Sequence, residues 1–140
     1  MDHVGIVVDD LAAATEFFVQ LGLAAEGSAI VEGRLVDRII GLDGVRSEVV
    51  FLRTPVGHGT IELSKFHSPP ARHGDPDTAA NVLGIRHLSF VVDNIDAAVA
   101  GLRARGEELV GEVVSYEDSY RLCYVRGPEG IIVELAQELG

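Results

Sequence analysis

The chain has 140 residues but only one cysteine, one methionine, one lysine and no tryptophan. With Cys123 alone, no intrachain disulfide can form. Leu122 and Tyr124 flank it in a strand-like run, and nothing adjacent would activate a thiolate, so it reads as a packed, inert thiol. Aromatic residues make up 6% of the chain, which leaves little surface for stacking a flat ligand. No apolar run approaches the ~20 residues that cross a bilayer. The N-terminus also lacks the basic start and small-residue cleavage site of a secretory signal. The expectation is a soluble, cytoplasmic protein. Basic residues are scarce: 11 against 22 acidic, a formal charge of −11. That field repels phosphate backbones and anionic membrane surfaces, and the scattered arginines form no patch to overcome it. Neither nucleic acid nor membrane is expected as a partner, whereas excess acid helps to hold a divalent cation.

What is abundant is apolar: 47% of the residues, enough for the core of one domain at this length. The chain also repeats itself. His3-Val-Gly-Ile-Val-Val-Asp9 returns as His87-Leu-Ser-Phe-Val-Val-Asp93, 84 positions later. Each copy sets a histidine before an apolar run, closes on Asp and leads into an Ala-rich segment. Two copies of one module are the simplest reading.

In the first copy, residues 4–8 read as a strand buried on both faces. Asp9 or Asp10 caps a helix over residues 11–21, with Leu11, Ala14, Phe18 and Leu21 on one face and Gly22 ending it. Strands are expected over 24–32, 48–54 and 60–66. Residues 33–44 are ambiguous, a short helix or bent strand that turns Val36, Ile39 and Ile40 to a core. Pro and Gly mark a turn at 55–59. Residues 67–84, with three prolines, read as a linker long enough to cover a pocket. The second copy predicts strands over 85–92, 107–116, 120–126 and 131–136, and a helix bearing Ile95, Ala98 and Leu102 that ends at Gly106. The order βαβββ, twice, is an α+β arrangement, with module 1–66, linker 67–84 and module 85–140.

His3 and His87 stand on first strands, and Glu62 and Glu134 on last strands. Both glutamates sit between apolar neighbours, where a carboxylate needs a cation or hydrogen bonds. Two imidazoles and two carboxylates suit a divalent metal such as Zn, Ni, Co, Mn or Fe. The remaining histidines, His58, His67 and His73, fall in turns or the linker and read as surface residues.

The doubled pattern, with its most specific pieces at His3-Val-Gly-Ile-Val-Val-Asp-Asp-Leu, His87-Leu-Ser-Phe-Val-Val-Asp-Asn-Ile and Gly-Pro-Glu-Gly-Ile-Ile-Val-Glu134-Leu, resembles the vicinal oxygen chelate superfamily over essentially the whole chain. That family includes glyoxalase I, methylmalonyl-CoA epimerase, extradiol dioxygenases, and fosfomycin and bleomycin resistance proteins. The resemblance implies a single glyoxalase-like domain over 1–140, whose paired modules curl mixed sheets into a cup. It implies a divalent metal held by His3, Glu62, His87 and Glu134. It further implies a lyase or isomerase that moves a proton next to the carbonyl of a small oxygenated acid or thioester, with Glu62 or Glu134 as base. A homodimer is implied as well.

Glu62-Leu-Ser-Lys lacks the Asn that glyoxalase I often carries there to hold glutathione. A ligand at Glu62 would fill a position that extradiol dioxygenases leave open. Two alternatives stand beside the leading reading: a metal-free protein that sequesters a small molecule, and an extradiol-type dioxygenase. For substrate contact the candidates are Tyr116, Tyr120, Arg121 and Tyr124, followed by Arg38 and Phe51. Alternation puts Tyr120, Leu122 and Tyr124 on one strand face and Arg121 and Cys123 on the other.

Overall fold

A computed structural model describes residues 1–140, which divide into two compact units, Met1–Gly74 and Asp75–Gly140. Each is a four-stranded mixed sheet with a helix after its first strand. In unit 1 the elements are β1 (Val4–Val7), α1 (Leu11–Gln20), β2 (Ala24–Glu32), α2 (Arg34–Ile40), β3 (Arg46–Arg53) and β4 (Thr60–Ser68). In unit 2 they are β5 (His87–Val91), α3 (Ile95–Ala104), β6 (Val114–Tyr116), β7 (Tyr120–Arg126), a 3-10 turn at Pro128–Gly130, and β8 (Ile132–Glu138). The sheet orders are β1-β4-β3-β2 and β5-β8-β7-β6. In both, the first strand runs parallel to the last and the other neighbours are antiparallel.

The repeat extends to the helix ends. Asp10 accepts a hydrogen bond from the Ala13 N–H at 2.9 Å, and Asn94 does the same from Ala97 at 3.0 Å. Each side-chain oxygen satisfies an N–H that the first turn leaves unpaired. Gly22 and Gly106 follow the helices at φ 99° and 88°. There the chain turns so that the Leu23 and Glu107 N–H groups reach back to the Phe18 and Leu102 carbonyls. This left-handed turn favours glycine because a Cβ would crowd it.

Helix α1 buries Ala14, Phe17 and Phe18, and α3 buries Ile95, Val99 and Leu102. Phe17 and Val99 widen the expected stripes, because a helix face takes residues at both i+3 and i+4. On the sheets, Leu52, Ile61 and Leu63 are buried in unit 1, and Cys123, Val125, Val133 and Leu135 in unit 2. Burial pushes the Cys123 thiol's pKa up, which keeps it protonated and unreactive.

Three expectations are corrected. The first strands are not buried on both faces: Val7 is 50% exposed and Val91 66%, because a helix covers only one side within each unit. Of the two alternatives for residues 33–44 the helix is the one formed, as α2 over Arg34–Ile40, but without the expected core-facing stripe. It stops at Gly41, φ 82°, and Asp37 ties the following loop by accepting the N–H groups of Gly44 and Val45 at 3.0 and 2.7 Å. Val36 is half-buried, but Ile39 is 83% exposed and Ile40 42%, so these two do not face a core. Residues 107–116 are not a continuous strand either. Leu109 bridges Val125 and Val114 pairs with Leu122. The edge thus takes more residues than β7 over the same stretch, and the surplus bends outward around Gly111, as a bulge does at a sheet edge.

Candidate functional site

Strand register brings histidine and glutamate together in the same way in both units. Glu62 pairs with Gly5, two residues after His3, and Glu134 pairs with Ser89, two residues after His87. Paired residues share a sheet face, and so do residues two apart. His3 and Glu62 therefore lie on one face of the first sheet, and His87 and Glu134 on one face of the second. Strand β1 stays short of His3, so its imidazole hangs off the strand end, free to turn toward the glutamate.

In unit 1, His3 Nε2 stands 3.2 Å from Glu62 Oε2 while His3 Nδ1 stands 2.7 Å from Asp2 Oδ2. A carboxylate only accepts, so Nδ1 carries a proton toward Asp2. Nε2 then faces Glu62, a meeting that needs either a second proton or a cation. The Asp2 hydrogen bond, with Glu62 and the Asp2 charge adding to it, raises the His3 pKa; the same bond lowers that of Asp2. Ser64 Oγ donates to the other Glu62 oxygen at 3.4 Å, and Phe51, registered opposite Glu62, sets its ring edge-on to His3 with centroids 6.3 Å apart.

Unit 2 reaches a related arrangement with other residues. Ser89 Oγ donates to Glu134 Oε1 at 2.7 Å. Tyr124, registered opposite Glu134, lays its ring against His87 with centroids 5.1 Å apart, its hydroxyl 3.4 Å from His87 Nδ1. Tyr116 pairs with Tyr120, and the alternation of β7 puts both on the Glu134 face with Tyr124. Tyr116 and Tyr120 are 53% and 40% exposed.

The other two substrate-contact candidates lie elsewhere. Arg121 is on the opposite, helix-bearing face, where its guanidinium grips Asp96 by two bonds of 2.7 and 3.0 Å. Arg38 is an exposed residue of α2. Sequence reasoning missed Asp2, Ser64 and Ser89. Ser64 and Ser89 stand two positions after a candidate ligand on the same strand, which was the available signal. Asp2 simply precedes His3.

The donor set suits a divalent metal. Imidazole and carboxylate are its common partners, and Asp2 orients the imidazole as outer carboxylates do around metal-bound histidines. No group of three or more His, Cys, Asp or Glu side chains is gathered so as to hold a metal ion; each unit offers a histidine and a glutamate on one sheet face.

The chain belongs to the glyoxalase/bleomycin resistance protein/dioxygenase superfamily, whose family model matches residues 2–124. A glyoxalase family protein from Bacillus cereus is 48% identical in sequence, with a TM-score of 0.95 over 100% of this chain and 94% of that one. The uncharacterized protein YaeR of Escherichia coli K12 is 28% identical over 137 residues, 97% of this chain and 94% of its own length. The trypanothione-dependent glyoxalase I of Leishmania major aligns with a TM-score of 0.68 at 20% identity, covering 99% of this chain and 86% of that one; at that identity it shows the shared fold alone. The glyoxalase-like α+β fold of paired, unclosed four-stranded sheets is thereby established. No helix is long and apolar enough to cross a membrane.

Proposed function

We propose that the protein is a metal-dependent lyase or isomerase of the glyoxalase or epimerase type. Its substrate is a small oxygenated acid or thioester, and the reaction moves a proton next to a carbonyl. His3, Glu62, His87 and Glu134 are the metal ligands. The observation that carries this reading is the twice-repeated register of a histidine against a glutamate on a sheet face, with a serine on each glutamate. When bound, a divalent metal polarises a carbonyl oxygen and acidifies the neighbouring C–H. Glu62 or Glu134 takes the proton from one carbon and returns it to the next. On Glu134 one carboxylate oxygen is tied to Ser89, which leaves the second to work; on Glu62 the oxygens face Ser64 and His3. Phe51, Tyr116, Tyr120 and Tyr124 line the sheet faces that carry these groups and contact the substrate. Arg121, committed to Asp96, is not part of this assignment. The protein works in the cytoplasm as a homodimer, which the exposed Leu35, Ile39, Ile40 and Leu42 on and after α2 support.

The test is metal content of untagged protein beside His87→Ala and His3→Ala. Near one equivalent of Zn, Ni, Co, Mn or Fe, lost in either variant, is expected. Protein that takes up no metal after soaking would end the proposal. A folded Glu134→Gln variant is expected to lose most activity on the substrate found by screening; full activity would remove Glu134 from the role of base.

The exposed tyrosines favour one second reading, a protein that sequesters a small aromatic molecule without metal. Tight binding of such a molecule by chelator-treated protein would support it. Oxygen uptake with Fe(II) and a catechol would instead mark a dioxygenase.

A further inference from the structure

The two modules treat their outer strands differently. The outer strand of unit 2, β6, is three residues long. The bend at Gly111 and the charge of Glu112 precede it, and Glu117 and Asp118 follow it in a turn with positive φ at both. Shortness, a bulge and flanking charge are usual means of keeping a sheet edge from pairing with another chain. The outer strand of unit 1, β2, is far less protected. It runs nine residues, pairs with β3 on one side and with no strand on the other, and exposes every residue except the half-buried Val31. It holds neither proline nor lysine. Its one bulge, at Glu26, leaves residues 27–32 in regular register. Its two charges are turned back on β3: Glu26 Oε1 meets Arg53 Nε at 2.9 Å, and Glu32 Oε2 meets Arg46 Nε at 3.5 Å. Between them lie Gly27, Ser28, Ala29, Ile30 and Val31, an uncharged run whose outward N–H and C=O groups have no partner strand.

We propose that this run is the docking surface for the same run of a second copy, paired antiparallel about a two-fold axis through Ala29. The inference rests on the homodimer reading above and gives that dimer a surface. A two-fold axis perpendicular to the sheet sets one residue opposite itself, and charge decides which. Centring on Ser28 puts Glu26 against Ile30, and centring on Ile30 puts Glu32 against Ser28. Centring on Ala29 keeps both carboxylates out of the run: Ala29 faces Ala29, Ser28 faces Ile30 and Gly27 faces Val31. Each β-branched side chain then meets a small one. Glu26 and Glu32 meet only at the ends, each already held by an arginine of its own sheet. Leu35 and Ile39, 69% and 83% exposed, follow on α2. The antiparallel arrangement carries them to the start of the partner strand, where Ala24 and Ala25 are exposed. Apolar burial is thereby added to the backbone hydrogen bonds. The net charge of −11 opposes self-association elsewhere on the surface, whereas this seam carries no unpaired carboxylate.

The test is the mass of the full chain by light scattering across concentration, beside Ala29→Lys and two cysteine variants. The wild type is expected to rise to twice the 14.9 kDa chain mass. Ala29→Lys sets two ammonium groups against each other at an exposed position. It is expected to stay at the single-chain mass with an unchanged circular dichroism spectrum. Ala29→Cys is expected to give a covalent dimer under mild oxidation, because directly opposed residues lie within disulfide reach. Ser28→Cys, opposed to Ile30, is expected to crosslink far more slowly. Cys123 is buried and does not compete. A wild type that stays single at every concentration overturns the proposal together with the dimer. A dimer that survives Ala29→Lys, or that crosslinks no faster through Ala29→Cys than through Ser28→Cys, overturns this surface and leaves the dimer standing. Neither result bears on metal content, which the metal assignment answers to separately.

Discussion

The two glutamates differ in how firmly they are held, and that difference sets a graded experiment. Ser89 Oγ lies 2.7 Å from Glu134, the length of a charge-assisted hydroxyl–carboxylate bond. Such bonds contribute about 1.5–3 kcal/mol. The group is exposed, so the lower end applies, about 1.5 kcal/mol or roughly tenfold in an equilibrium constant. That agrees with the 10–100-fold typical when an outer partner of a metal ligand is lost. Ser64 Oγ is 3.4 Å from Glu62, at the edge of bonding distance, and its removal is expected to cost less than about twofold. Gly5 occupies in β1 the position of Ser89 in β5, and a Cβ there meets nothing within 4 Å. Gly5→Ser therefore has room to give Glu62 the donor that Glu134 already has.

Zinc affinity measured by competition with a fluorescent chelator should fall about tenfold in Ser89→Ala. It should change little in Ser64→Ala and rise in Gly5→Ser, with circular dichroism confirming the fold of each. If Ser64→Ala weakens zinc as much as Ser89→Ala, or if neither acts, the serines do not position the carboxylates and the reasoning fails.

Other consequences are open to simpler measurements. Gly130→Ala places a Cβ against the Pro76 backbone at a positive φ and should cost about 2–5 kcal/mol, a fall in Tm of roughly 7–17 °C for this length. Gly111→Ala, with nothing within 4 Å, should stay within about 2 °C. Asp96 is held below its ordinary pKa of 3.8 by its Arg121 hydrogen bonds. The stability this adds is present above pH 3.8 and is lost as pH falls below it toward the lowered value. Melting curves of Arg121→Gln should therefore lie below the wild type at neutral pH and converge with it in acid; a gap that persists in acid would mean packing, not charge, sets the difference. Light scattering should give twice the 14.9 kDa chain mass, and a monomer at all concentrations would remove the dimer.

The repeat was legible because its signals are local. A histidine before an apolar run, a capping Asp or Asn and a glycine after the helix each act within a few residues, and all recur at the same offset. The helix stripes were read one residue too narrow because Phe17 and Val99 sit at the margin of the 3.6 period. Strand β6 was overextended because residues 107–116 carry apolar residues throughout. Its actual pairing depends on β7, a partner that the segment's own sequence does not specify. Residues 33–44 were undecided for a related reason: α2 is set by Gly41 and by Asp37 reaching into the next loop, not by an apolar face. Among the site residues, the face of Arg121 followed from alternation, but its partner Asp96 lies on a helix and needed the packed structure.

The two copies keep one chemical polarity with different side chains. At His3, a carboxylate on Nδ1 forces the proton there and leaves Nε2 as the outward nitrogen. At His87, the oxygen near Nδ1 is the Tyr124 hydroxyl, which can donate or accept. If Tyr124 donates, Nε2 holds the proton and cannot ligate; if it accepts, Nε2 is free, as at His3. Were His87 to hold a cation through Nε2, the Tyr124 hydroxyl would have to donate elsewhere and accept from Nδ1. Asp2 imposes that tautomer and Tyr124 merely permits it. The proton on His3 Nδ1 is thus fixed by its neighbour, whereas the tautomer of His87 is left open by the Tyr124 hydroxyl. The serines carry their own asymmetry, close on Glu134 and distant on Glu62. Glu62 is met on one oxygen by Ser64 at 3.4 Å and on the other by His3 at 3.2 Å, whereas Glu134 takes its one short bond from Ser89, so the two copies hold their carboxylates by different partners.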